Sequence, residues 1–144
     1  MAQKTDNRSV GGRFEQEFAE FLDKHGFWCH VMQQNKAGQP ADIIAVKGDF
    51  HCLIDCKEVS TNKGFVLSRV EENQRLAMQK FLCRGNHGGW FAVKYPVIGV
   101  MMISMDSILT AESNGMKAIT EVVATQFMSA DEWVEVISTM LMKE

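Results

Sequence analysis

The sequence predicts an α/β domain, a central mixed β-sheet of about four to five strands flanked by helices. Three observations carry that expectation. Apolar residues recur at helical spacing over Phe14, Phe18, Phe21 and Leu22. Two short apolar runs then flank a Lys-Gly-Asp-Phe turn, the signature of a β-hairpin. Finally, 144 residues that are 46% hydrophobic and 23% charged suffice for one globular domain with its own core. No repeat, linker or low-complexity segment divides the chain.

The first ten residues, MAQKTDNRSV, are polar and expected to be flexible. Neither a signal peptide nor an apolar run long enough to cross a bilayer is read in the chain. A helix should run from about Gly12 to His25 and end at His25-Gly26. Phe27 to Met32 reads as a strand, Gln33 to Gln39 as a polar loop, and Pro40 to Ser60 as the hairpin. After the Thr61-Asn62-Lys63-Gly64 turn come Phe65-Val66-Leu67, then a helix from about Val70 to Cys83. Its inward residues are expected to be Leu76, Ala77, Phe81 and Leu82. Trp90 to Lys94 and Val97 to Ile103 are two more strands, hinged at Tyr95-Pro96. Residues 104–144 read as a helical extension packed on the core. It holds a short helix at Asp106 to Ala111, an Ile119 to Ala124 run that fits helix or strand, and a last helix. Ser129 and Glu132 give that helix a capping box, and Trp133, Val136, Ile137 and Met140 give it a stripe for core or dimer packing.

The net charge of −3 is unevenly divided. Residues 1–103 hold 13 Lys/Arg against 11 Asp/Glu, and residues 104–144 hold 2 against 7. If several acids of the first part are site ligands, the surface left there is basic and compatible with a phosphate backbone. Cys29, Cys52, Cys56 and Cys83 lack the paired spacing of a zinc site and are read as reduced core thiols of an intracellular protein.

The chemistry concentrates in Pro40 to Ser60, PADIIAVKGDFHCLIDCKEVS. A two-residue loop pairs Lys47 with Phe50, and a four-residue loop pairs Val46 with His51. Either closure sets Asp42 opposite Asp55, with Lys57 on the face of Asp55. Like charges across a ladder repel, so two carboxylates beside an ammonium call for a cation between them. A hard divalent metal such as Mg2+ is the candidate. Glu17 lies on the apolar stripe of the first helix, three residues after Phe14 and four before Phe21. An acid there is costly unless paired or metal-bound, which makes Glu17 the third candidate. Glu15 and Glu20 are read as solvent-facing. Gln74 and Arg75, in the first turns of the second helix, can point back towards a strand end.

The order of Glu17 on a helix, Pro40-Ala41-Asp42, twelve residues, then Asp55-Cys56-Lys57 resembles the PD-(D/E)xK nuclease superfamily. Within it the chain looks most like RecU-type Holliday junction resolvases. That likeness rests on Asn7-Arg8 ahead of the Glu-bearing helix, Leu53-Ile54-Asp55-Cys56-Lys57-Glu58, Phe65-Val66-Leu67, a Gln74-bearing helix and a strand from Trp90. The resemblance implies a restriction-endonuclease-like core and a homodimeric DNA endonuclease that cuts four-way junctions with Mg2+ or Mn2+. By position, Asp42 and Asp55 would be metal ligands together with the Cys56 backbone carbonyl. Glu17 would complete the shell directly or through water. Lys57 would steer the attacking water and offset transition-state charge, and Gln74 would be a secondary catalytic residue. Arg8, Arg13, Lys63, Arg69 and Arg75 are the candidate phosphate contacts. The family's second acid is commonly Glu where this chain has Asp55, and the segment before Pro40 is shorter than the stalk-bearing one of RecU proteins. A restriction-like, repair or single-strand nuclease uses the same core; a DNA-binding module without catalysis is the alternative of another class.

Overall fold

The computed structural model describes residues 2–33, 38–60 and 63–143, with side chains from residue 12 onward. Helix α1 (Ala2–Lys24) comes first, and residues 2–10, expected to be flexible, continue it. Phe14, Phe18 and Leu22 recur every four residues and form its buried stripe. The helix stops at Gly26, whose φ of +88° suits glycine and lets Phe27 N–H return to the Leu22 carbonyl at 3.0 Å.

Strands β1 (Trp28–Val31), β2 (Ile43–Lys47) and β3 (Phe50–Glu58) then form an antiparallel meander. Lys47 pairs with Phe50 across Gly48-Asp49, the tighter of the two expected closures. Gly48 takes φ +56° as the first central residue of that turn. After β4 (Phe65–Val66) and a 3-10 turn (Leu67–Arg69), helix α2 (Glu72–Cys83) crosses over to β5 (Trp90–Tyr95). Strand β5 lies parallel to β3, the pairing that needs such a crossover. Strand β6 (Gly99–Ser104) returns beside β5. The remainder is α3 (Met105–Ser113), β7 (Ala118–Ile119), α4 (Glu121–Ala124), β8 (Met128–Ser129) and α5 (Ala130–Met142).

The result is a mixed six-stranded sheet in the order β1-β2-β3-β5-β6-β8, with β4 and β7 paired separately. It has one strand more than expected, because the residues before α5 add β8 to the edge. One face packs on α1 and α5, where Phe27, Phe50 and Trp90 surround the fully buried Trp133 at centroid distances of 5.5–5.7 Å for three ring pairs. The other face packs on α2, α3 and the β4–β7 pair through Phe65, Met78, Phe91 and Ile108.

Two local expectations change. The second strand of the β5–β6 hairpin starts at Gly99, because the Glu121 carboxylate accepts both the Val97 and Ile98 N–H groups at 2.7 Å and holds them in the turn. Along α2 the buried line is Gln74 and Met78, flanked by half-buried Ala77 and Phe81, while Leu76 and Leu82 are exposed. A polar residue inside the buried line shifts the apparent apolar stripe. The cysteines also divide: Cys52 is buried and Cys29 and Cys56 are half-buried, but Cys83 is exposed at the end of α2.

Candidate active site

Asp42 stands one residue before β2 and already obeys the ladder. Its N–H donates to the Ile54 carbonyl at 3.1 Å, and its own carbonyl accepts from Met32 N–H at 2.8 Å. With Ile43 paired to Ile54, the next position brings Asp42 against Asp55. Ile54 and Cys52 face α1 and α5, so alternation turns Leu53, Asp55 and Lys57 to the opposite face. Both acids are buried, Asp42 at 6% exposure and Asp55 at 1%.

Four groups hold these carboxylates. Asp42 accepts from the Cys56 N–H at 2.7 Å and from the Gln39 side-chain amide at 3.2 Å. Asp55 Oδ1 accepts from Gln74 Nε2 at 2.8 Å. Gln74 Oε1 in turn accepts the Glu71 N–H at 3.1 Å, so the start of α2 fixes which end of the amide meets Asp55. The Lys57 ammonium lies 2.9 Å from Asp55 Oδ2 and donates to the Arg69 carbonyl at 3.2 Å. That close ion pair is the contact made by Oδ2, opposite the Gln74 bond to Oδ1.

Burial, and then the neighbouring Asp42 charge, push the Asp55 carboxyl up to about 7 against the opposing pull of Lys57. Glu15 is raised to about 7 as well, again by burial first and the Asp42 charge second. That places Glu15 within the field of the pair. It lines a small cavity with Phe14, Cys56, Glu58 and Arg69.

Glu15 corrects the reading of the first helix. At about 100° per residue, Glu15 sits roughly 60° from the middle of the Phe14–Phe18–Leu22 stripe, whereas Glu17 sits roughly 100° away on its other flank. Glu17 is not brought to the carboxylate pair. Its side chain is 55% exposed, 3.8 Å from Lys94, and it faces the β5–β6 turn. Taking Leu22 rather than Phe21 as the anchor of the stripe is the signal that finds Glu15.

The basic residues also sort by geometry. Arg75 meets Glu112 through two hydrogen bonds of 2.8 and 2.6 Å and donates to the Val70 carbonyl, so its guanidinium ties α2 to α3 and is not free for a phosphate. Arg69 borders the site and donates to the Glu58 carbonyl at 3.0 Å. Arg13 and Lys63 are exposed. The side chain of Arg8 lies outside the described residues.

Among the described residues no three His, Cys, Asp or Glu side chains converge on one point as a finished metal cage. The donors that do meet fit a hard ion. Two buried carboxylates are opposed within about one strand spacing of each other, and one or two carboxylates with water commonly suffice for Mg2+. Alternation turns the Cys56 side chain to the α1–α5 side, away from Asp55, so the groups that meet here offer oxygen donors.

A family model described as archaeal Holliday junction resolvase (Hjc) matches residues 6–136. The chain belongs to the Hjc family. The PD-(D/E)xK superfamily assignment fits, and the resolvase family that the match supports is the archaeal one, with no match to the RecU type behind the finer resemblance. The Hjc Holliday junction resolvase of Archaeoglobus fulgidus has the same fold, with a TM-score of 0.64 at 18% identity over 88% of this chain and 98% of that one. No curated protein matches the sequence. Membership makes the protein a structure-specific, junction-cleaving nuclease by family, one of the nucleases of DNA recombination and repair. No described helix is long and apolar enough to cross a membrane.

Proposed function

We propose that the protein is a homodimeric, Mg2+-dependent endodeoxyribonuclease that resolves four-way DNA junctions by phosphodiester hydrolysis, with Mn2+ also supporting activity. The observation that carries this reading is the opposed pair Asp42 and Asp55, both buried, with the Lys57 ammonium 2.9 Å from Asp55. Asp42, Asp55 and the Cys56 carbonyl would hold the ion, and Glu15, rather than Glu17, would close the acidic side. When bound, the divalent ion supplies charge relief on the phosphate and an acidified water.

The chain's own groups account for the rest. Gln74 holds Asp55 in one orientation, leaving Oδ2 directed at the site. Lys57, 12% exposed, keeps a positive charge beside the place where phosphoryl charge develops, with little solvent to screen it. Arg69, Arg13 and Lys63 supply phosphate contacts that position the strand. The Gln33–Gln39 connection is too short for a RecU-like stalk, so junction engagement falls to the body of the domain.

Two symmetric cuts need two sites, and each chain carries one. An apolar groove of about 760 Å³ between α2, α3 and α5 is the surface for the second copy. Exposed Leu82, Leu109, Val136 and Met140 rim it, and Trp90 and Trp133 line its floor. Leu109→Glu is expected to give a monomer in sedimentation that no longer makes paired cuts. A wild-type monomer at working concentration counts against the pairing.

The deciding assay offers a synthetic four-way junction beside linear, flap and single-stranded DNA with Mg2+. Paired, symmetric nicks in the junction are expected. Equal cutting of linear duplex would favour a restriction-like or repair nuclease, and no cutting of any DNA with either metal would favour a binding module.

A further inference from the structure

On the outer strand β1, Cys29 and Val31 pack against the α1–α5 side of the sheet. Alternation turns Trp28 and His30 to the other face, the one that carries Asp42 and Asp55. Pairing sets His30 beside Ile44 and Trp28 beside Val46, in line with Met32 beside Asp42. The four steps from Trp28 to Met32 span about 14 Å at ~3.4 Å each. That is about four steps of a stacked nucleic-acid strand.

Trp28 is 61% exposed, whereas Trp133 is fully buried and Trp90 half-buried. The His30 ring is also exposed, and the two rings are nearly parallel, with centroids 6.3 Å apart and planes 12° from each other. A lone exposed aromatic needs no explanation. Two parallel exposed rings on the catalytic face, at strand positions in register with the acids, form a surface matched to a flat ligand.

We propose that Trp28 and His30 form a stacking platform for a nucleobase of the DNA strand that enters the active site, an inference that rests on the reading of the protein as a nuclease of branched DNA. Every base has a π-face, so such a platform is tolerant of sequence. It discriminates by stacking state instead. A base freed from its neighbours at a branch offers an open face, and a base inside intact duplex offers none. The platform therefore adds preference for branched over linear DNA and adds no phosphate contact.

The test measures binding in the Asp55→Asn background, where the DNA stays uncut. Adding Trp28→Ala is expected to weaken binding of a four-way junction by about fivefold or more. Affinity for linear duplex stays the same, and the salt dependence of junction binding keeps its slope because no phosphate contact is lost. Trp28→Phe, which keeps a ring at an exposed position, stays within about threefold of the parent on the same stacking argument. Equal junction affinity of Trp28→Ala and its parent overturns the proposal, as does equal weakening for junction and linear duplex. The nuclease reading fails separately, when wild-type protein with Mg2+ or Mn2+ cuts nothing while the Trp28-dependent junction binding persists. A parent that binds no DNA overturns both.

Discussion

Replacing Asp55 with asparagine removes the charge that the fold holds in its least hydrated position. In the metal-free protein the Asp55 carboxyl is raised from 3.8 to about 7, chiefly by burial and next by Asp42. A carboxyl raised on folding contributes stability that is complete below its unfolded value and is lost as pH rises through its folded value. Above pH 7 the ionised group therefore opposes folding. Three units at about 1.4 kcal/mol each set a ceiling of ~4 kcal/mol for the strain at pH 8. That ceiling already includes the opposing pull of Lys57, 2.9 Å away, and asparagine reproduces the contacts of the protonated carboxyl only in part. The expected net gain for Asp55→Asn is about 1–3 kcal/mol at pH 8. Urea unfolding in chelator measures it, and the gain should shrink towards zero at about pH 3, below the unfolded value of 3.8, where the carboxyl is neutral in both the folded and the unfolded state. Mg2+ should raise wild-type stability at pH 8 and do so far less for the variant, while cleavage by the variant is abolished. A variant less stable than wild type at pH 8 in chelator, or equally stabilised at both pH values, would refute the reasoning.

Glu15→Gln should lower junction cleavage by about 10- to 100-fold, the range for a group that supports a metal site, while Glu17→Gln stays within about twofold; single-turnover cleavage of one labelled junction separates them. Arg75→Ala should cost about 1 kcal/mol in urea unfolding by cutting the Glu112 tie between half-exposed partners. It should leave the salt dependence of DNA binding unchanged, whereas loss of a real phosphate contact would lower the slope by about 0.9.

Strand periodicity and turn chemistry made the β2–β3 hairpin legible to the residue, and with it the meeting of Asp42 and Asp55. Ser129 and Glu132 likewise announced α5, since a capping box is a local signal. What stayed hidden depended on packing between distant segments. Glu15 reads as solvent-facing until the stripe is anchored on Leu22, because Phe21 is only half-buried and pulls the apparent centre towards Glu17. Gln74 conceals the buried line of α2, since its place there comes from a hydrogen bond to a strand and not from hydrophobicity. Arg75 reads as a free cation until α3, far along the chain, brings Glu112 to it. Strand β8 has two residues and exists only because β6 presents an open edge.

The Gln74 amide joins a helix start to a buried acid, accepting from Glu71 N–H at one end and donating to Asp55 at the other. Helix ends open more readily than strands in a core. Each time the first turn of α2 unwinds, Asp55 loses the Gln74 hydrogen bond that fixes its Oδ1. Catalytic readiness thus carries the fluctuation clock of a helix terminus, and hydrogen–deuterium exchange at the single Glu71 amide reads that clock. An ion that draws on Asp55 should slow it.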